Sequence, residues 1–202
     1  NVLGQTLFEA LLLEPWLKRE LRWSLEADLD AVDFCSPATP MEDRAPIELG
    51  CDYSARAVLA MLGDSKAFDF KEGVKHLGSL DGPQSLDLFF VTIVKDASSF
   101  TETTSYDDYA MNPTRFHWQS QSRVGAGSPT AARYRRIGFG PGDPQGHLFV
   151  RRDKEVEKKG LAAPFTYLGR VRFLSSRGER PLSIQWELEH PLSARLLAAF
   201  SK

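Results

Sequence analysis

Cysteine is almost missing from this sequence. Cys35 and Cys51 are the only two in 202 residues. That is too few for a disulfide framework, so a reducing, cytoplasmic setting is expected. No apolar run approaches the roughly 20 residues that cross a bilayer as a helix. The N-terminal stretch carries acids and a helical pattern rather than the basic-then-apolar order of a secretory signal. Because it begins at Asn1, the chain is expected to be a piece of a longer protein. The signatures of common chemistries are missing as well. There is no G-x-x-x-x-G-K-[ST] loop, no H-E-x-x-H and no C-x-x-C, and the four histidines are scattered. No catalytic residue, metal site or cofactor is therefore expected. "GFGPGD" (Gly138 to Asp143) looks like a phosphate loop only superficially. Pro141 and Pro144 prevent a helix from opening there, so it reads as a tight loop.

Acidic residues are scarce in one region. The whole chain has a net charge of −2. Residues 1–109 hold 9 Lys/Arg and 20 Asp/Glu, a net of −11, whereas residues 110–152 hold seven arginines and one acid, Asp143, a net of +6. Residues 153–202 carry a net of +3. Arginine makes bidentate contacts to phosphate and stacks on flat rings. A basic region in an otherwise near-neutral protein points to a polyanion, most commonly nucleic acid. A solvated face paired with the acidic half explains the charge equally well.

Patterning gives the organisation. Leu7, Leu11 and Leu12, then Leu17, Leu21 and Leu25, recur at helical spacing, so residues 1–36 read as a helical connector. "CSPATPMEDRAP" (Cys35 to Pro46) reads as a linker, leaving one main domain over 45–202. "YSARAVLAML" (Tyr53 to Leu62) predicts a helix with Ser54 as N-cap and Gly63 as stop signal. "LFFVTIVK" (Leu88 to Lys95), "RFHWQ" (Arg115 to Gln119), "HLFVRR" (His147 to Arg152), "FTYLGRVRFL" (Phe165 to Leu174) and "LSIQWELE" (Leu182 to Glu189) read as strands. "PLSARLLAAF" (Pro191 to Phe200) closes as a helix. Strands without long helices between them predict an α+β fold, a mostly antiparallel β-barrel or barrel-like sheet with flanking helices.

The densest stretch is "SYDDYAMNPTRFHWQSQSR" (Ser105 to Arg123). It supplies what an extruded base requires: flat walls, groups for the Watson–Crick edge, and cations for flanking phosphates. Tyr106, Tyr109, Phe116 and Trp118 are candidate walls. Asp107 and Asp108 can accept from the exocyclic amine of cytosine, and Gln119 and Gln121 can bond a base edge. Arg123, Arg133, Arg135 and Arg136 are candidate contacts to the DNA backbone. The same residues also allow plain packing. In a strand, Phe116 and Trp118 share one face and Arg115, His117 and Gln119 the other, so the two rings could be core. One of the two aspartates could simply cap a turn, and His117 reads as structural.

"SLDLFFVTIVK", "TTSYDDYAMNPTRFHWQSQSR", "HLFVRR", "PFTYLG" and "RPLSIQWELEHPL", in this order and spacing, resemble a family of unknown function. That family occurs at the C-terminus of bacterial superfamily II helicases, many of which carry a phospholipase-D-type nuclease domain. The resemblance covers roughly residues 45–195. It implies a non-catalytic, DNA-reading barrel of the PUA/SRA type within a restriction or phage-defence enzyme. Its partners would be double-stranded DNA and the helicase and nuclease domains of the same parent protein. It further implies recognition of modified cytosine by base flipping, as in SET-and-RING-associated domains. Two other readings stay open: a reader of unmodified sequence, and a docking module that couples helicase to nuclease. A hydrolase using the Asp pair ranks last, because no nucleophile or metal set stands beside it.

Overall fold

The computed structural model describes residues 45, 47–70, 73–78, 85–94, 107–156 and 161–202. The helical reading of residues 1–36, most of the linker and Tyr106 lie outside the described residues. Strand β1 (Asp52–Tyr53) leads into helix α1 (Ala55–Met61), and a 3-10 turn (Ala67–Asp69) follows. Then come β2 (Gly73–Leu77), β3 (Leu86–Thr92), β4 (Tyr109–Asn112), β5 (Arg115–Gln119) and helix α2 (Pro129–Tyr134). Strands β6 (Gln145–Arg151), β7 (Glu155–Val156), β8 (Leu161–Ala162), β9 (Phe165–Arg177) and β10 (Ser183–Leu188) precede helix α3 (Ala194–Phe200).

The helices start where hydroxyl side chains can cap them. Ser54 Oγ accepts from Ala57 N at 3.1 Å, and Gly63 follows α1 at φ 78°. Ser193 Oγ accepts from Leu196 N at 3.3 Å at the start of α3. Helix α2 was not anticipated from patterning. Ser128 Oγ accepts from Ala131 N at 3.2 Å and Pro129 occupies the first turn, yet six residues are too few to show an apolar period.

One eight-stranded sheet runs in the order β2-β3-β6-β9-β10-β5-β4, with β1 pairing on β9. All its pairings are antiparallel except β3 with β6, which run parallel. Both parallel strands are buried almost throughout, as parallel pairs covered on two faces must be. The architecture is thus the expected α+β fold with a mostly antiparallel sheet. The hydrogen-bonded path is open, with β2 and β4 at its ends, so the described strands form a curled sheet and not the closed barrel that the strand pattern also allowed. Strands β3 and β5 stand four steps apart along the path, roughly 19 Å on a flat sheet at about 4.8 Å per step. Yet the Phe89 and Trp118 ring centroids lie 5.0 Å apart, so the sheet wraps until its two halves face each other. Register shifts at Leu148/Phe149 and Gln185/Trp186 supply local bending. At the first, Gly169 has φ 95° and a Cβ there would come within 2.9 Å of Leu49 Cδ1, so glycine is required.

The concave face holds the main core. Phe89 meets Trp118, Tyr134 and Trp186 at centroid distances of 5.0, 5.5 and 5.0 Å. Tyr134 enters from α2, and Leu192 and Phe200 from the C-terminal segment. The convex face is divided. Under β3, β6 and the start of β9 it is apolar, with Leu88, Phe90, Phe149, Phe165 and Tyr167 covered by Ile47, Val58 and Leu59. Along β10, β5 and β4 it carries polar, solvent-facing side chains. Among the described residues no helix is long and apolar enough to cross a membrane.

Candidate nucleic-acid interface

The stretch from Asp107 to Arg123 contributes to both faces of the sheet. Phe116 and Trp118 are 0% and 5% exposed and point into the concave core. They are core side chains, not pocket walls, because the period-2 alternation of β5 sends them inward against Trp186 and Phe89. The outward row of the same strand is Arg115, His117 and Gln119, opposite Glu187, Gln185 and Ser183 of β10. Tyr109 pairs with His117 across β4 and β5, and their rings stack with centroids 5.1 Å apart at 28°. Lys202 Nζ sits 4.9 Å from the centre of the Tyr109 ring and forms an ion pair with Asp107 Oδ1.

The two neighbouring aspartates serve different ends. Asp107 is half exposed and anchored through its backbone. Its N–H donates to Gln119 Oε1 at 2.8 Å, and its carbonyl lies 2.5 Å from His117 Nδ1. A carbonyl only accepts, so His117 carries its proton on Nδ1. Asp108 is buried, and Oδ1 accepts from Gln119 N at 2.7 Å. Asp108 is therefore not available to a base edge; it caps the outer end of β5. Replacing Asp108 with alanine leaves that partly buried N–H without its acceptor and should lower stability by about 1–3 kcal/mol, read from urea denaturation. Asp107→Asn should change stability far less. The Gln119 amide is also committed, since its Nε2 donates to Ser183 Oγ at 3.3 Å. Gln121 Oε1 accepts from Arg123 Nε at 2.8 Å. The Gln121 amide lies close against Gly73 of β2, where a Cβ would come within 2.7 Å of its Nε2.

The four candidate arginines separate. Arg123, Arg135 and Arg136 are exposed. Arg133 is not a surface cation: it forks onto the fully buried Asp87, Nε to Oδ2 at 2.8 Å and Nη2 to Oδ1 at 2.9 Å. Helical geometry decides this, because Arg133 and Tyr134 on α2 both face the sheet, whereas Arg135 and Arg136 follow the last helical turn outward. Burial, reinforced by the Asp87 charge, pushes the Tyr134 phenol well above its ordinary range. The glycine-rich segment is a tight loop in which Gly140 N donates to Asp143 Oδ2 at 2.9 Å. Among the described residues no group of three His, Cys, Asp or Glu could hold a metal ion.

The structure therefore brings together Asp107, Tyr109 and Gln119, with Gln121 and Arg123 one turn beyond. It adds His117 and Lys202, which sequence reasoning did not place in a site. Strand alternation already put His117 outward beside Gln119. Nothing local marked Lys202, 93 positions from Tyr109.

The family model described as Domain of unknown function (DUF3427) matches residues 48–200. The chain belongs to this family. The match takes in every strand of the main sheet and the three helices among the described residues. No curated protein matches the chain. A solved structure, the MspJI restriction endonuclease in complex with a 27-mer oligonucleotide, is 16% identical with a TM-score of 0.40. That alignment covers 59% of this chain and 33% of the endonuclease, so the matched part is about a third of that chain's length.

Proposed function

We propose that this chain is the DNA-reading module of a helicase–nuclease restriction or defence enzyme, and that it reads modified cytosine as an extruded base. The observation that carries the reading is the placement of Arg123, Arg135 and Arg136. All three are exposed within a segment of net +6, and Arg123 lies four residues past β5, whose outward His117 stacks on Tyr109 of the neighbouring β4, with Asp107 just before it. Three cations track phosphates, and one aromatic beside a carboxylate receives a base.

Lys202 suggests how. In the free protein its ammonium takes both contacts a cytosine would need, the face of the Tyr109 ring and the Asp107 carboxylate. Its side chain is 62% exposed, so displacement exchanges a weak surface pair for a stacked base. The base stacks on Tyr109, and Asp107 accepts its exocyclic amine. Thymine presents a carbonyl there and is rejected. Stacking contributes roughly 1–3 kcal/mol per base, comparable with the few kcal/mol that unstacking costs. A 5-methyl group adds only about 0.8 kcal/mol, so strong preference for a modified base requires a close fit around it.

The test compares Tyr109→Ala and Asp107→Asn with the parent on duplexes bearing cytosine, methylcytosine or hydroxymethylcytosine, with a fluorescent base reporting extrusion. Tyr109→Ala should weaken binding about 5- to 150-fold, the loss of one stacking contact, and Asp107→Asn should erode discrimination. If both variants discriminate like the parent, and no base leaves the stack, the reading fails.

A further inference from the structure

We propose that the Asp87–Arg133 pair is a positioning element for the exposed Arg135–Arg136 step, and that Arg133 acts on DNA without touching it. The inference rests on the DNA-reading function above and names the device that holds its backbone contact in place.

The chain around α2 alternates sharply between anchored and exposed residues. Ala131 is buried, Arg133 is mostly buried, and Tyr134 is 2% exposed among Phe89, Trp118 and Trp186. Arg135 and Arg136 are exposed, and Ile137 is again buried. The two arginines thus form a short span between anchors on either side. Its backbone is closed by hydrogen bonds from Arg135 N to Ala131 O, Arg136 N to Arg133 O and Ile137 N to Tyr134 O, at 3.2, 3.0 and 3.2 Å. Helix α2 has only six residues, too few to hold an orientation by itself. Its orientation comes from the Tyr134 ring, packed against Phe89, Trp118 and Trp186, and from the Arg133 fork, which fixes direction because both N–H···O bonds must align at once.

Asp87 is well suited to that task. It lies on β3 with a fully buried side chain, and its two oxygens receive the two arms of the guanidinium. His76, its cross-strand partner on β2, brings Nδ1 to 3.3 Å from the same carboxylate. One carboxylate therefore ties the central parallel pair to the basic turn, with His76 of the edge strand beside it. A carboxylate among aromatic rings is costly unless fully paired. A site serving stability alone could be apolar, whereas this one spends its polarity on aligning a single guanidinium.

Lysine and glutamine at position 133 separate positioning from contact. Lysine keeps the charge and loses the fork; glutamine loses both. If Arg133 positions the turn, Arg133→Lys and Arg133→Gln weaken binding to a duplex by a similar factor, roughly 2- to 30-fold, the range for residues acting on a site they do not touch. Their salt slopes stay at the parent value. Amide exchange over 128–138 quickens in both, and Asp87→Asn, which keeps one acceptor for the fork, falls between them and the parent. Urea titrations confirm that each variant is folded under the binding conditions. If replacement at 133 prevents folding, Asp87→Asn carries the same comparison. The proposal is overturned if Arg133→Lys binds like the parent while Arg133→Gln lowers the slope by about one, the mark of a lost phosphate contact. It is overturned equally if all three variants bind with parental affinity. Should the parent itself fail to bind DNA, the functional reading falls, and exchange alone judges the anchor: unchanged protection at 135–138 would show that the pair does not hold the turn.

Discussion

Replacing Trp118 with alanine should destabilise the domain by about 3–5 kcal/mol. With urea m-values of about 1–3 kcal/mol/M, the unfolding midpoint should fall by roughly 1–5 M. The ring is 5% exposed and lies edge-on to Phe89 at 5.0 Å and to Tyr134 at 5.7 Å, with Trp186 at 6.2 Å. Removing it opens a cavity where the two halves of the wrapped sheet meet, and a sheet fixed by β6, β9 and β10 cannot collapse to fill it. Tyr109→Ala, on the opposite face of the same strand pair, should stay within about 0.5 kcal/mol of the parent, as surface changes usually do. The opposite pattern, a stable Trp118 variant that loses only base discrimination, would return that ring to the binding site.

The second large effect is electrostatic. Duplex affinity should fall linearly with salt on a double-logarithmic plot, with a slope of about −0.9 for each phosphate neutralised on B-DNA. The triple variant Arg123→Ala/Arg135→Ala/Arg136→Ala should lose about 2.7 from that slope. Every duplex should weaken by about the same factor, because backbone contacts carry no sequence information. Titrations of matched duplexes across salt concentrations measure both quantities. A docking module that binds protein would show neither the slope nor its loss. Unchanged binding by the triple variant would mean that the electrostatic footprint lies elsewhere.

Much of the fold was legible because the strands state their own faces. "RFHWQ" alternates, and the structure seats Phe116 and Trp118 inside with Arg115, His117 and Gln119 outside. "LFFV" and "HLFV" are continuous apolar runs, and both became doubly covered strands. Ser54 announced its helix, and Ser193 caps the C-terminal one. The parallel pairing of β3 with β6 was not legible, since no local pattern states which strands meet at a register offset of 59 positions. The site was legible only in part, for the same reason. Composition singled out Asp107, Asp108 and Arg133 as charged and therefore available. Whether a charge is available depends on what long-range pairing puts beside it. Gln119 N claimed Asp108 and Asp87 claimed Arg133, whereas Asp107 keeps an exposed, displaceable partner in Lys202. A charge count cannot distinguish Arg133 from Arg135, two positions away. Only the helical turn that points one inward and the other outward does so.

The strand order also constrains how the chain is made. Strand β5 pairs with β4 on one side and with β10 on the other, and β10 lies about 65 residues downstream. A ribosome adding about 5–20 residues per second needs roughly 3–13 s to cover that distance. Throughout that interval β5 has only the four-residue β4 to pair with, and its inward face, with Phe116 and Trp118, lacks Trp186. Pairings this distant in sequence also form slowly once the chain is free. The nascent domain therefore has a defined period of vulnerability to aggregation, which closes when Ile184 and Trp186 emerge and take their places between β9 and β5.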